Sequence, residues 1–122
     1  MRSRLTARAS ADIRAVLRSS GVLFGPRQVL AYASLLNRAV SLVAEDPHRP
    51  GSRSWPQFPE PVRSFHLERA AGRRGAARHE LFYTVCSGED GSEEVLILRV
   101  LHDAMDPGRR VGASLRDDFK RS

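Results

Sequence analysis

The chain is predicted to be an α+β protein: an N-terminal edge strand, then a two-helix hairpin packed on one face of an antiparallel β-sheet. Three observations predict it. Residues 9–20 and 26–44 carry apolar side chains at helical spacing, one stretch directly after the other. Three strand-like segments follow, the last two joined by Gly88-Glu89-Asp90-Gly91-Ser92 as a hairpin turn. Within the last of them, Val95-Leu96-Ile97-Leu98 is an uninterrupted apolar run, the mark of a strand buried on both faces. Helices followed by a meander of strands is an α+β order, and the helices must cover the sheet because their stripes have nothing else to bury against.

Arg2 to Ala7 is short and fits an opening edge strand. Ala9 to Ser20 is the first helix, with Ile13, Val16, Leu17 and Ser20 on one stripe, Ser10 as its cap and Asp12 in its first turn. Gly21 and Gly25 bracket Val22-Leu23-Phe24, read as a hydrophobic turn. Pro26 suits a first helical position, and the second helix runs from there to about Ala44, closed by Asp46-Pro47. It is apolar over two adjoining stripes: Val29, Tyr32, Ala33, Leu36, Val40 and Val43, and Leu35, Ala39 and Leu42. Contact with both the first helix and the sheet explains that width; a partner chain is the alternative.

Residues 47–61 hold five of the seven prolines and read as an irregular connection, with Trp55 and Phe58 anchoring it on the core. Strands are then expected over Val62–Arg69, Arg78–Cys86 and Glu94–His102. On the first, Arg63, Phe65, Leu67 and Arg69 share a face. The intervening Ala71–Arg78 is a basic, flexible loop. One domain is expected over residues 1–110, followed by a polar tail over 111–122, with a short helix around Leu115–Phe119 or a frayed end as alternatives.

At 122 residues, with 41% hydrophobic and 28% charged side chains, the chain suits one globular domain with a modest core. No apolar run approaches the ~20 residues of a membrane span, and Met1-Arg2-Ser3-Arg4-Leu5 has no apolar signal core, so a cytoplasmic protein without a membrane partner is expected. The lone Cys86 has no disulfide partner and no zinc-site spacing, and His48, His66 and His79 show no ligand pattern. Neither metal nor cofactor is expected. The net charge of +6 is almost wholly arginine, Lys120 being the only lysine. Residues 1–61 carry nine basic and four acidic side chains, and residues 62–122 eleven and ten. Nucleic acid, an acidic protein partner and coding bias are all compatible with that skew.

Several spaced segments, taken together, resemble one family. Leu5-Thr6 with Ala9 and Asp12-Ile13, Phe24-Gly25 before Gln28 and Tyr32, and Leu42 to Asp46-Pro47 are the first three. Arg63-Ser64-Phe65, His79 with Leu81-Phe82-Tyr83, and Ile97 to His102 with Met105-Asp106 complete the set. In order and spacing they resemble the RelE/ParE superfamily of bacterial toxins over about residues 3–110. The resemblance implies a toxin of a type II toxin–antitoxin system, neutralised by a cognate antitoxin (ParD-like or similar) and reaching operator DNA only as part of the toxin–antitoxin complex.

Two mechanisms follow from that resemblance: ParE-like members block DNA gyrase, and RelE-like members cut messenger RNA on the ribosome. RNA cleavage through a 2′-hydroxyl needs a base, an acid and cations. RelE-like enzymes use a basic cluster with a tyrosine or histidine near the C-terminus, and this chain has neither residue after His102. Gyrase inhibition by binding, with no catalytic residues, is therefore the favoured reading. Ribosome-dependent RNA cleavage by Arg63, Arg99 and His102 is the alternative, and a non-toxic homologue that only binds antitoxin is a third. Target contacts are expected from Arg63, Arg69, Arg78, Arg99, His102 and Arg109. Antitoxin contacts are expected from Ile13, Val16, Leu17, Leu35 and Leu42. For Arg99 the structural alternative is an ion pair with Asp106 or Glu80, because an unpaired buried guanidinium is costly. For His102 it is a bond to backbone.

Overall fold

The computed structural model describes residues 1–119, and the expected tail's last three residues, 120–122, lie outside them. Strand β1 (Arg2–Leu5) leads into helices α1 (Ala7–Phe24) and α2 (Pro26–Glu45), followed by β2 (Arg53–Trp55) and β3 (Val62–His66). A short α3 (Leu67–Ala71), the long hairpin β4 (His79–Ser87) and β5 (Glu93–His102), and α4 (Pro107–Ser114) complete the order, α4 running into a π-helical turn at Leu115–Phe119. The sheet order is β1-β5-β4-β3-β2. The α+β class and the edge position of the opening strand are as expected. The sheet is mixed, because β1 runs parallel to β5 while every other pair is antiparallel.

Thr6, not Ser10, starts α1: its hydroxyl accepts the Ala9 N–H at 3.0 Å and donates to the Leu98 carbonyl at 2.9 Å. One side chain thus caps a helix and ties it to the central strand. The helix continues past Ser20, so Val22-Leu23-Phe24 is its last turn and not a loop. Gly25 then makes the joint between the helices at φ +88°, a conformation that a side chain would strain.

The central run behaves as its sequence says: Val95, Leu96, Ile97 and Leu98 are all fully buried. A bulge opposite Phe82 and Tyr83, whose partners are Arg99 and Ile97, leaves Leu98 unpaired in the register. It lets Val95, Ile97 and Val100 join the core under the helices, while Leu96, Leu98 and Leu101 join a second core on the opposite face. That second face is closed by Val62, Phe82, Val111 and Leu115, with Trp55 and Phe58 packed on as anticipated and Cys86 beside them. Burial pushes the Cys86 thiol above its ordinary value.

Three local expectations are corrected. Residues 53–55 of the proline-rich connection form an edge strand, because the Trp55 indole finds an acceptor in Ser64 Oγ at 2.7 Å. Tyr83 and Thr84 donate to the carbonyls of Pro47 and Pro61 at 2.5 and 3.1 Å, fastening the rest of the connection. The strand expected over Val62–Arg69 stops at His66, whose Nδ1 accepts the Glu68 N–H at 3.1 Å and opens α3. Leu67 and Arg69 consequently leave the face of Arg63 and Phe65. Residues from 111 onward, read as a polar tail, include the buried Val111, Ser114 and Leu115. Pro107 and the Asp106 side chain, which accepts the Gly108 N–H at 3.0 Å, start the helix that delivers them.

Candidate functional site: a groove beneath the helix hairpin

Where the helix hairpin overhangs the end of β4 and β5, a groove of about 510 Å³ opens. Val16, Leu23, Phe24 and Tyr32 form its helical wall, and Ala77, Arg78, His79, His102 and Met105 its sheet side. Its size is that of a small-ligand cleft, yet its rim is a protein-like apolar patch. Leu23 and Phe24 there are each 71% exposed, large side chains that water solvates poorly, while Val22 and Leu30, 82% and 70% exposed, lie outside the groove's lining.

Three rings make the polar floor. His79 and His102 are register partners on β4 and β5, with centroids 5.2 Å apart in an edge-to-face contact. The Tyr32 hydroxyl lies 2.7 Å from His79 Nδ1. Burial, then repulsion from His102, pushes the His79 imidazole down to about 4, so it is neutral at pH 7 and shares one hydrogen bond with the phenol, its direction set by the imidazole tautomer. Burial likewise raises the Tyr32 phenol above its ordinary value. A weak imidazole base beside a phenol held in its protonated form is poorly matched to proton abstraction near neutral pH. His102 Nδ1 accepts the Ala104 N–H at 3.0 Å, which folds the exit of β5. Beside it, His66 Nε2 and Asp103 Oδ1 are 2.7 Å apart.

Of the residues expected at a site, the structure brings Val16, Arg78 and His102 into this groove. Ile13, Leu17, Leu35 and Leu42 are half-buried against the core under the helices. Arg63 donates to Ser52 Oγ from Nη2 at 2.7 Å, away from the groove. Arg69 stands exposed on α3, and Arg109 exposed on α4. Arg99 is paired neither with Asp106 nor with Glu80: its Nε and Nη2 donate to the two carboxylate oxygens of Asp12 at 2.7 and 2.8 Å. Glu80 is occupied by Ser64, whose hydroxyl donates to it at 2.6 Å, and Asp106 caps α4.

Tyr32, His79, Leu23, Phe24 and Met105 belong to the groove and were not anticipated there. Their signal was indirect: His79 and His102 meet only once the hairpin register is known, and Val22-Leu23-Phe24 looks like an ordinary turn until the helix carries it into solvent. Among the described residues no group of three or more His, Cys, Asp or Glu side chains is arranged to hold a metal ion. No helix among them is long and apolar enough to cross a membrane.

Comparison with known proteins bears on this geometry. The family described as the ParE toxin of the type II toxin–antitoxin system parDE matches residues 4–107. A solved structure described as the chromosomal ParDE toxin–antitoxin system from P. aeruginosa is similar in fold, with a TM-score of 0.64 and 24% identity. The alignment covers 84% of this chain and 95% of that one. Among curated proteins no match is found. The family match extends from β1 to the start of α4, taking in both helices of the hairpin and every strand, and the chain therefore belongs to the ParE toxin family of type II toxin–antitoxin systems.

Proposed function

We propose that this chain inhibits DNA gyrase by binding it, without bond-breaking chemistry of its own, and that a ParD-like antitoxin silences it. The observation that carries the binding reading is the state of the three residues a nuclease would need. Arg99 is forked onto Asp12, Arg63 is held by Ser52, and His102 is turned to its own backbone. Each is committed to the fold, so none is left as a free cation or base beside a scissile phosphate. Exposed Arg78 and Arg109, with Arg69, remain available to an acidic target surface.

The groove supports the antitoxin half of the reading. An amphipathic helix laid between Val16, Leu23 and Phe24 would bury apolar surface that is otherwise wet. The partly exposed flanks of Ile13, Leu17, Leu35 and Leu42 would extend that contact along the helices. Residues 13–44 contain four arginines and no acidic side chain, which suits an acidic partner. Operator DNA would be recognised by the toxin–antitoxin pair.

Gyrase supercoiling of relaxed plasmid, with purified toxin, tests the reading. Supercoiling should stop, linear DNA should accumulate, and antitoxin should restore the activity. In cells, induction should cause DNA-damage signalling and filamentation while translation is initially intact. Early arrest of protein synthesis with transcripts cut inside codons, and supercoiling untouched, would replace it with ribosome-dependent RNA cleavage. Soluble folded protein that arrests nothing would leave only antitoxin binding.

A further inference from the structure

The arginines of this molecule divide by what they touch. Arg2, Arg4, Arg8 and Arg99 hold the carboxylates of Asp90, Glu94, Asp117 and Asp12. Arg38, Arg49 and Arg63 donate to carbonyl or hydroxyl oxygens. Arg69, Arg73 and Arg74 form no ion pair among the described residues, and they line one shallow concavity of about 270 Å³ with Glu68 and Gly72. All three are exposed.

Their loop is ordered by its own hydrogen bonds. Glu68 Oε2 accepts the Gly75 N–H at 2.7 Å, so the one carboxylate of the concavity braces the backbone. The Arg73 N–H donates to the Glu68 carbonyl and the Ala76 N–H to the Arg73 carbonyl, each at 3.3 Å. Gly72 closes α3 in the left-handed region at φ +71°. Three guanidiniums thereby share one concavity with a single carboxylate, leaving a net positive surface.

The concavity has no apolar side chain among its lining residues. A protein partner anchors through desolvated aromatic or aliphatic groups, and those are found in the groove next door. Guanidinium forks without an apolar anchor suit phosphate oxygens. No Asn or Gln lies among the lining residues to read adenine, and an exposed turn offers no long helix or ribbon to seat the arginines against guanine in a groove. We propose that Arg69, Arg73 and Arg74 form a surface for the phosphodiester backbone of nucleic acid, bound without sequence preference. This contact belongs to the toxin itself and does not depend on the gyrase reading. Gly75 to Arg78 of the same loop also line the apolar groove, so a segment filling the groove would pass beside the arginines.

The test uses the full chain with a short labelled DNA duplex and a single-stranded RNA of equal length, titrated between about 50 and 200 mM salt. Binding should weaken steeply with salt. The triple variant Arg69→Gln/Arg73→Gln/Arg74→Gln should lose about tenfold or more in affinity, and its salt slope should fall by about 2–3. Arg14→Gln/Arg18→Gln/Arg27→Gln removes equal charge from the helix hairpin and should cost less than about threefold. A stronger effect on duplex assigns the surface to DNA, and a stronger effect on the single strand assigns it to RNA; either supports the proposal. No binding by the wild type, equal losses in the two triple variants, or equally effective competition by polyglutamate of matched charge would overturn it. Circular dichroism checks the fold, and Arg74→Glu, a single exposed change, repeats the test if the triple variant misfolds. Gyrase supercoiling with the wild-type protein, and with Arg73→Gln/Arg74→Gln, which leaves Arg69 in place, reports separately on the function proposed above.

Discussion

Asp12 and Arg99 meet as a two-pronged ion pair between the first turns of α1 and the bulge in β5, and the same carboxylate also accepts the Val100 N–H at 3.0 Å. Their side chains are only 13% and 15% exposed, Arg99 and Asp12 respectively. The pair therefore fixes where the helix hairpin sits on the sheet, and with it the overhang that creates the groove. The charge that made Arg99 a candidate for chemistry is spent on architecture.

Replacing Asp12 with Ala leaves a nearly buried guanidinium and a backbone N–H without their acceptor. The variant should lose about 3 kcal/mol of stability. Urea unfolding measures this, and a double-mutant cycle with Arg99→Met should return a coupling above about 1 kcal/mol. Additive losses would mean that the pair is not the link between helix and strand.

Acid should weaken the fold through His79. Its folded value of about 4 lies below the ordinary histidine value of 6.5, so the unfolded chain binds the extra proton between them. That contribution is complete above pH 6.5 and disappears as the pH falls toward 4. The imidazole is partly wet, so solvent screening limits the effect to about 1–2 kcal/mol. In His79→Gln, stability compared at pH 7 and pH 5 should fall less on acidification than in the wild type; an identical fall would place the acid sensitivity elsewhere.

Phe24→Glu puts a charge on a side chain that is 71% exposed, where nothing in the fold needs it. Stability should change by less than about 0.5 kcal/mol. Antitoxin affinity, measured calorimetrically, should fall at least tenfold (about 1.4 kcal/mol), because the substitution charges the rim of the groove. Unchanged affinity would move the antitoxin contact to another face.

Leu115→Ala tests whether the segment after residue 110 belongs to the folded unit. Leu115 is 3% exposed and packs with Phe82, Leu96, Leu98 and Leu101, so truncation should cost about 3 kcal/mol in chemical denaturation. A cost near zero would make the C-terminal helix an ornament.

Local sequence pattern carried the helix hairpin through its apolar spacing, the central strand through its unbroken apolar run and the β4–β5 turn through its Gly and Asp residues, because each is set by neighbours close along the chain. It also placed Trp55 and Phe58 on the core. The covering of the second sheet face escaped notice, since Val111 and Leu115 are isolated apolar residues in polar surroundings and gain meaning only from the surface they meet. Parallel pairing of β1 was equally invisible: direction in a sheet depends on where the chain has travelled, and two helices intervene.

For the site, composition showed an arginine excess, compatible with recognition and with coding bias alike, but not which arginines the fold holds. That was decided by long-range contacts, Asp12 with Arg99 across 87 residues and Ser52 with Arg63 across 11. The Tyr32–His79–His102 floor arises from three elements and a strand register, none of which leaves a spacing to read. Sequence settles what a segment can bury; only the assembled fold settles which charges have been neutralised and which surface remains for a partner, because both depend on neighbours distant along the chain.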